Sequence, residues 1–257
     1  MLHPRIDRSL LAILTAAAAA TPQLCVAQQQ SPAATPWGLG IGVAAVKRPY
    51  TGADAKVIPF PLITYENAWV RFAGVGADLK LIEAGSIEFG LRARFALADG
   101  YKSGDAPILN GMADRKGSVW IGPEATWNSE YAKVSFELLS DALRKSKGIE
   151  GKLGVEHNFR AGSFVFAPHA AAAFVDKKYV DYYYGVSAAE ANANRPAYEG
   201  KSTVNLEAGL RTTFMLDASN SLFVDLNATA LGKGITDSPL VDHKVMPAAL
   251  VGYLYRF

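Results

Sequence analysis

The stretch SIEFGLRARFAL, from Ser86 to Leu97, constrains the fold more than any other. It sets Ile87, Phe89, Leu91, Ala93, Phe95 and Leu97 on one face of an extended chain, and Ser86, Glu88, Gly90, Arg92, Arg94 and Ala96 on the other. Side chains alternate across a strand, so the run specifies a strand with one apolar and one polar face. The pattern recurs. In TVNLEAGLRTTFML, Val204, Leu206, Ala208, Leu210 and Phe214 oppose Thr203, Asn205, Glu207, Gly209, Arg211 and Thr213. AKVSFEL and FVFAPHAAAAFV repeat it around Phe136 and Phe166. Strands of soluble proteins usually run about 5–6 residues, whereas a tilted strand needs about 9–11 to cross a bilayer. No stretch reaches the ~18 consecutive apolar residues of a spanning helix. Long amphipathic strands without a spanning helix fit a closed barrel, which satisfies every backbone group in lipid.

The sequence therefore predicts an all-β fold, a closed antiparallel transmembrane β-barrel. Strands are expected near 36–46, 56–65, 68–73, 76–83, 86–97, 118–127, 131–140, 150–159, 163–175, 201–216, 221–231 and 245–257. Twelve strands is the reading, with ten as the alternative. It depends on a break at Gly74, since one strand fewer gives an odd count and inverts the loops. Short connections (EN, AG, NSE, RAG, DASN) alternate with long ones, the longest being 98–117 and 176–200. Short turns belong on the periplasmic side and long loops outside.

The N-terminus reads as an export signal over 1–27: Arg5 and Arg8, then LLAILTAAAAA, then a small-residue cleavage site at Ala27. Residues 28–36 form a short polar leader, and 37–257 the barrel. Cleavage removes Cys25, the single cysteine, so the mature chain has no thiol for a disulfide, metal or nucleophile. A net charge of +2 argues against nucleic-acid binding.

The chain ends in VGYLYRF, with Val251, Tyr253, Tyr255 and Phe257 on one face. Tyr253, Tyr255 and Phe257 fit a closing strand whose terminal phenylalanine resembles the mark read by the barrel-assembly machinery. Further segments resemble the MltA-interacting protein family (MipA/OmpV) of Gram-negative outer membranes. They are RPYTG (Arg48 to Gly52), IPFPLITYEN (Ile58 to Asn67), YYYGVSAAEA (Tyr182 to Ala191), Tyr198 and DSPLV (Asp237 to Val241). The resemblance implies an outer-membrane barrel, in contact with lipid, that scaffolds peptidoglycan-remodelling enzymes: a lytic transglycosylase, which is a murein hydrolase, and a penicillin-binding synthase.

Alternation turns Asp78, Glu88, Glu124, Glu137, Glu156, Glu207 and Asp225 into the lumen with Arg71, Lys80, Arg92, Arg94, Lys133 and Arg211. Mixed signs in a narrow lumen fit a salt-bridged filling, while a conducting pore stays open as the alternative, as does a surface adhesin. His169 is the clear luminal histidine; Ser135 lies two strands away, and no motif marks catalysis. No cofactor is implied, and no metal-ligand spacing occurs. If partners bind in the periplasm, the turns at Glu66, Asn128, Glu130, Asp217 and Asn220 are the surfaces available. KKYVDYYYGV is either a binding epitope or an aromatic girdle under a packed loop, and the loop at 98–117 is expected to be solvated.

Overall fold

A computed structural model describes residues 37–96 and 99–257. The expected export signal and leader lie outside the described residues. Twelve antiparallel strands close into a barrel. They are β1 (Trp37–Val46), β2 (Lys56–Glu66), β3 (Val70–Ala73), β4 (Gly76–Ala84), β5 (Ile87–Phe95) and β6 (Val119–Asn128), followed by β7 (Lys133–Asp141), β8 (Ile149–Glu156), β9 (Phe164–Val175), β10 (Thr203–Met215), β11 (Asn220–Ala230) and β12 (Val245–Arg256). A short thirteenth strand, Phe159–Ala161, follows β8 and pairs with β9.

Each strand pairs with its neighbour in the chain, and β1 pairs with β12 from Gly38↔Arg256 to Val46↔Ala248. The Phe257 N–H donates to the Trp37 carbonyl at 3.2 Å, so the last residue is fixed by the closing seam. The outward face carries exposed Leu39, Ile41, Val43, Leu153, Val155, Leu206, Leu210 and Leu226. A continuous apolar band of this kind suits lipid, not water. Aromatic side chains gather at the ends joined by short turns: Trp37 packs on Tyr65, Tyr65 on Phe72, Phe159 on Phe166, Phe164 on Phe214, and Tyr255 on Phe257. This is the girdle expected at a membrane interface.

The break at Gly74 produces an irregular stretch of wall. Gly74 has φ +60°, which glycine adopts without strain, and it turns the chain after only four residues of β3. β3 consequently pairs with β2 only at Thr64, Tyr65 and Glu66. Above Ile63, whose carbonyl accepts the Gly74 N–H at 3.1 Å, the β2 edge takes no strand partner among the described residues.

A two-sided lumen beneath an external cap

The lumen has two unlike walls. On β3 to β8 the inward face carries a network of charges. The Arg92 guanidinium bridges three carboxylates, Asp78 at 2.8 Å, Glu137 at 2.8 Å and Glu124 at 2.6 Å, the last without hydrogen-bond alignment. Arg94 reaches Glu150 at 2.5 Å. Arg71 pairs with Glu66 at 3.0 Å and Glu88 at 3.2 Å, and Lys80 pairs with Glu66 at 2.6 Å. Lys152 pairs with Glu207, and Arg211 with Asp225 at 3.0 Å. Enclosed carboxylates are costly unless neutralised, and these arginines supply the neutralisation.

Across β11, β12, β1 and β2 the middle of the inward face is mostly apolar: Phe223, Leu250, Leu254, Ala44, Ile58, Phe60 and Leu62 border a cavity of about 640 Å3. Glycines make room for these side chains. A Cβ on Gly42 would stand 2.5 Å from the Phe60 ring, and one on Gly252 would stand 2.5 Å from Phe223.

The external mouth is roofed by packed loops. α1 (Lys177–Tyr184) is capped by Asp176, whose carboxylate accepts the Tyr179 N–H at 2.9 Å. None of its four tyrosines is exposed. Tyr50, Ala53, Tyr101, Ala106, Leu109, Met112, Val186 and Leu240 form one buried cluster drawn from four loops. The segment 98–117, expected to be solvated, is thus part of a core in its described residues: Leu109 is fully buried because its neighbours come from other loops. Arg195, 4% exposed, donates to the carbonyls of Ile108 at 2.5 Å, Asn110 at 3.0 Å and Glu190 at 2.6 Å. Burial opposes ionisation of Glu190, but hydrogen bonds from the Ala113 N–H and from Ser187, with the Arg115 charge, hold its pKa down at about 2. Burial pushes the Tyr50 hydroxyl well above its ordinary range, helped by Tyr184, so it stays a neutral donor to the Tyr183 carbonyl.

Of the expected luminal residues, Glu88, Arg92, Arg94, Glu124, Glu137, Glu207 and Arg211 stand in the ion pairs above, and Lys133 borders a smaller luminal cavity with His169. The His169 ring lies over Gly209, with Nε2 3.9 Å from Asp225, and Ser135 lines the same small cavity. Glu66, the last residue of β2, pairs with Arg71 and Lys80, and its side chain stays 54% exposed at the rim. The Asp217 carboxylate accepts the N–H groups of Ser219 and Asn220, so this pair builds its turn. Asn128 and Glu130 are exposed at the rim, beside Tyr131. Glu150, Lys152 and Arg195 were missed by the sequence reading.

The family model described as "MltA-interacting protein MipA" matches residues 39–257. The chain belongs to this family. The MltA-interacting protein of Escherichia coli (strain K12) is 25% identical over 224 residues, covering 86% of this chain and 90% of its own. The putative outer membrane protein YiaT of the same strain is 25% identical over 231 residues, covering 88% and 93%. Outer membrane protein OmpV of Vibrio cholerae is 28% identical over 142 residues, covering 55% of each. This MipA-family chain is an outer-membrane barrel protein. The segments that carried the resemblance meet in two places. Arg48 pairs with Asp105 at 2.7 Å, Tyr50 bridges to Val241, the Tyr198 hydroxyl donates to Gly234, and Ser238 donates to the Tyr184 carbonyl, all in the cap. IPFPLITYEN is β2, the strand with the unpaired edge.

Proposed function

We propose that this barrel is a non-enzymatic scaffold that holds peptidoglycan-remodelling enzymes, a murein hydrolase and a penicillin-binding synthase, at its periplasmic rim. Membership of a family described by its interaction with MltA supports this reading. The packed external cap carries it further: soluble partners approaching the barrel find open polar surface at the periplasmic end. Asn128 and Glu130, with Tyr131 beside them, offer it on a turn whose own shape depends on Ser129. The cap lends no support to a conducting pore, and its packed tyrosines leave little free aromatic surface for an adhesin.

The test is crosslinking in cells with a tagged chain, followed by identification of captured proteins. The double variant Asn128→Ala, Glu130→Lys should lose a lytic transglycosylase or penicillin-binding protein while the barrel stays folded. Capture equal to that of the parent would remove the rim from the account.

A further inference from the structure

The apolar cavity is not a sealed luminal space. Besides Phe60 and Leu62, its boundary includes Gly74, Val75 and Phe95. Phe95, on the outward face of β5 by alternation with Ile87, Phe89 and Leu91, and Val75 are each 44% exposed. The cavity therefore reaches the wall where β2 lacks a strand partner above Ile63 among the described residues.

The sequence of β2 fits that edge. Backbone groups alternate along a strand, and the Ile63 carbonyl faces β3. Residues 57, 59 and 61 hence direct their backbone groups to the same side. Positions 59 and 61 are Pro59 and Pro61. Proline has no N–H, so two donors that would stand orphaned in lipid are absent. Prolines suit an edge, and would weaken a paired interior strand. The short β3, the two prolines and the apolar inward face thus describe a lateral way into the lumen.

The lining also carries a sign. Arg94, Arg211 and Arg256 border the cavity with one acid, Asp99. Arg94 and Arg211 are ion-paired, though the Arg211 side chain remains 47% exposed. Arg256 has no ion-pair partner among the described residues and stands at the periplasmic end, opposite Gly38. A volume of 640 Å3 falls within the ~300–1,000 Å3 of small-molecule sites.

We propose that this compartment binds a single-chain anionic amphiphile, a long-chain carboxylate, which enters from the membrane across the β2 edge. Its tail lies along Phe60, Leu62, Phe223 and Leu250, and its head meets Arg256. This site is independent of the scaffold reading, since it uses none of the rim turns.

The full chain, reconstituted in bilayer nanodiscs, is labelled with a C16 carboxylate bearing a photoreactive group near the tail end, and labelled residues are located by mass spectrometry. Label at Ile58, Phe60, Leu62, Phe223 or Leu250, displaced by excess unlabelled palmitate, is the expected result. Label confined to outward residues such as Val57 and Ile63 would overturn the site. Arg256→Gln should weaken labelling by the carboxylate about tenfold and leave the corresponding methyl ester unchanged. Equal labelling by acid and ester in the parent would overturn the anionic head. Leu250→Trp, which fills the cavity, should abolish labelling when heat-dependent gel mobility shows a folded barrel. If that variant does not fold, the palmitate displacement in the parent decides: undisplaced label refutes the site.

Discussion

Replacing Arg195 by methionine should open the external cap while leaving the barrel closed. Arg195 is 4% exposed, and its guanidinium makes four hydrogen bonds to three carbonyl groups, those of Ile108, Asn110 and Glu190. Methionine keeps much of the side-chain bulk, so packing is largely retained and the polar loss is isolated. Hydrogen bonds to a charged group contribute about 1.5–3 kcal/mol each, and acceptors left buried without a partner add to the loss. The bonds share one group and are not additive, so a loss of about 3–5 kcal/mol is the expected scale for opening the cap. Hydrogen exchange in nanodiscs reads this directly, because local opening sets the exchange rate of protected amides. At about 1.4 kcal/mol per decade, amides of 106–112 and 186–198 should exchange at least about a hundredfold faster. Amides in β6 to β10 should be unchanged. An acceleration below about threefold in both segments would refute the idea that Arg195 ties the loops together.

Two further outcomes follow from the ion pairs. Arg92→Met leaves Asp78, Glu124 and Glu137 without their shared cation, a loss of about 3–5 kcal/mol for a broken buried pair, so the urea midpoint of the barrel should fall. Adding Glu124→Gln should recover part of it; no recovery would mean that the carboxylates are neutralised some other way. The pKa of Glu190 is held down at about 2, so the stability it gives the cap is present above its unfolded value and is lost as pH falls through that window. Protease resistance of the cap should therefore hold at pH 5 and decline from about pH 4.5 towards 2, a decline that Glu190→Gln should flatten.

The barrel was legible because strand alternation is periodic and its turns are punctuated. Ile87 to Phe95 and Val204 to Leu210 show their faces directly, and Gly74 marked the hairpin that makes the count twelve. Glu150 and Lys152 were equally readable, from Leu153 and Val155 on the opposite face, yet were passed over. The apolar wall was hidden for a physical reason. In IPFPLI both faces are apolar, so no contrast of polarity shows which side turns inward. The cap was hidden because loop packing has no period: Leu109 is buried by residues far from it in the chain, and no local pattern records that. Its helix did leave a sign in Asp176, a capping residue placed before KKYVDYYY, which the run of three tyrosines obscured.

The division of the lumen also sets an order of assembly. The charged wall is built mainly from β3 to β8, consecutive in the chain, so most of its arginines and carboxylates find one another between nearby hairpins. The apolar wall draws on the first two strands and the last two, and residues of β1 and β12 are separated by nearly the whole chain. Contacts so distant in sequence form late, because the intervening chain must first be ordered. The polar half can thus neutralise itself while the sheet is still open. Phe223, Leu250 and Leu254 meet Phe60 and Leu62 only when the seam joins. Zipping β12 onto β1 is then rewarded both by backbone pairing and by removal of these side chains from water, which favours the closed ring over an open sheet.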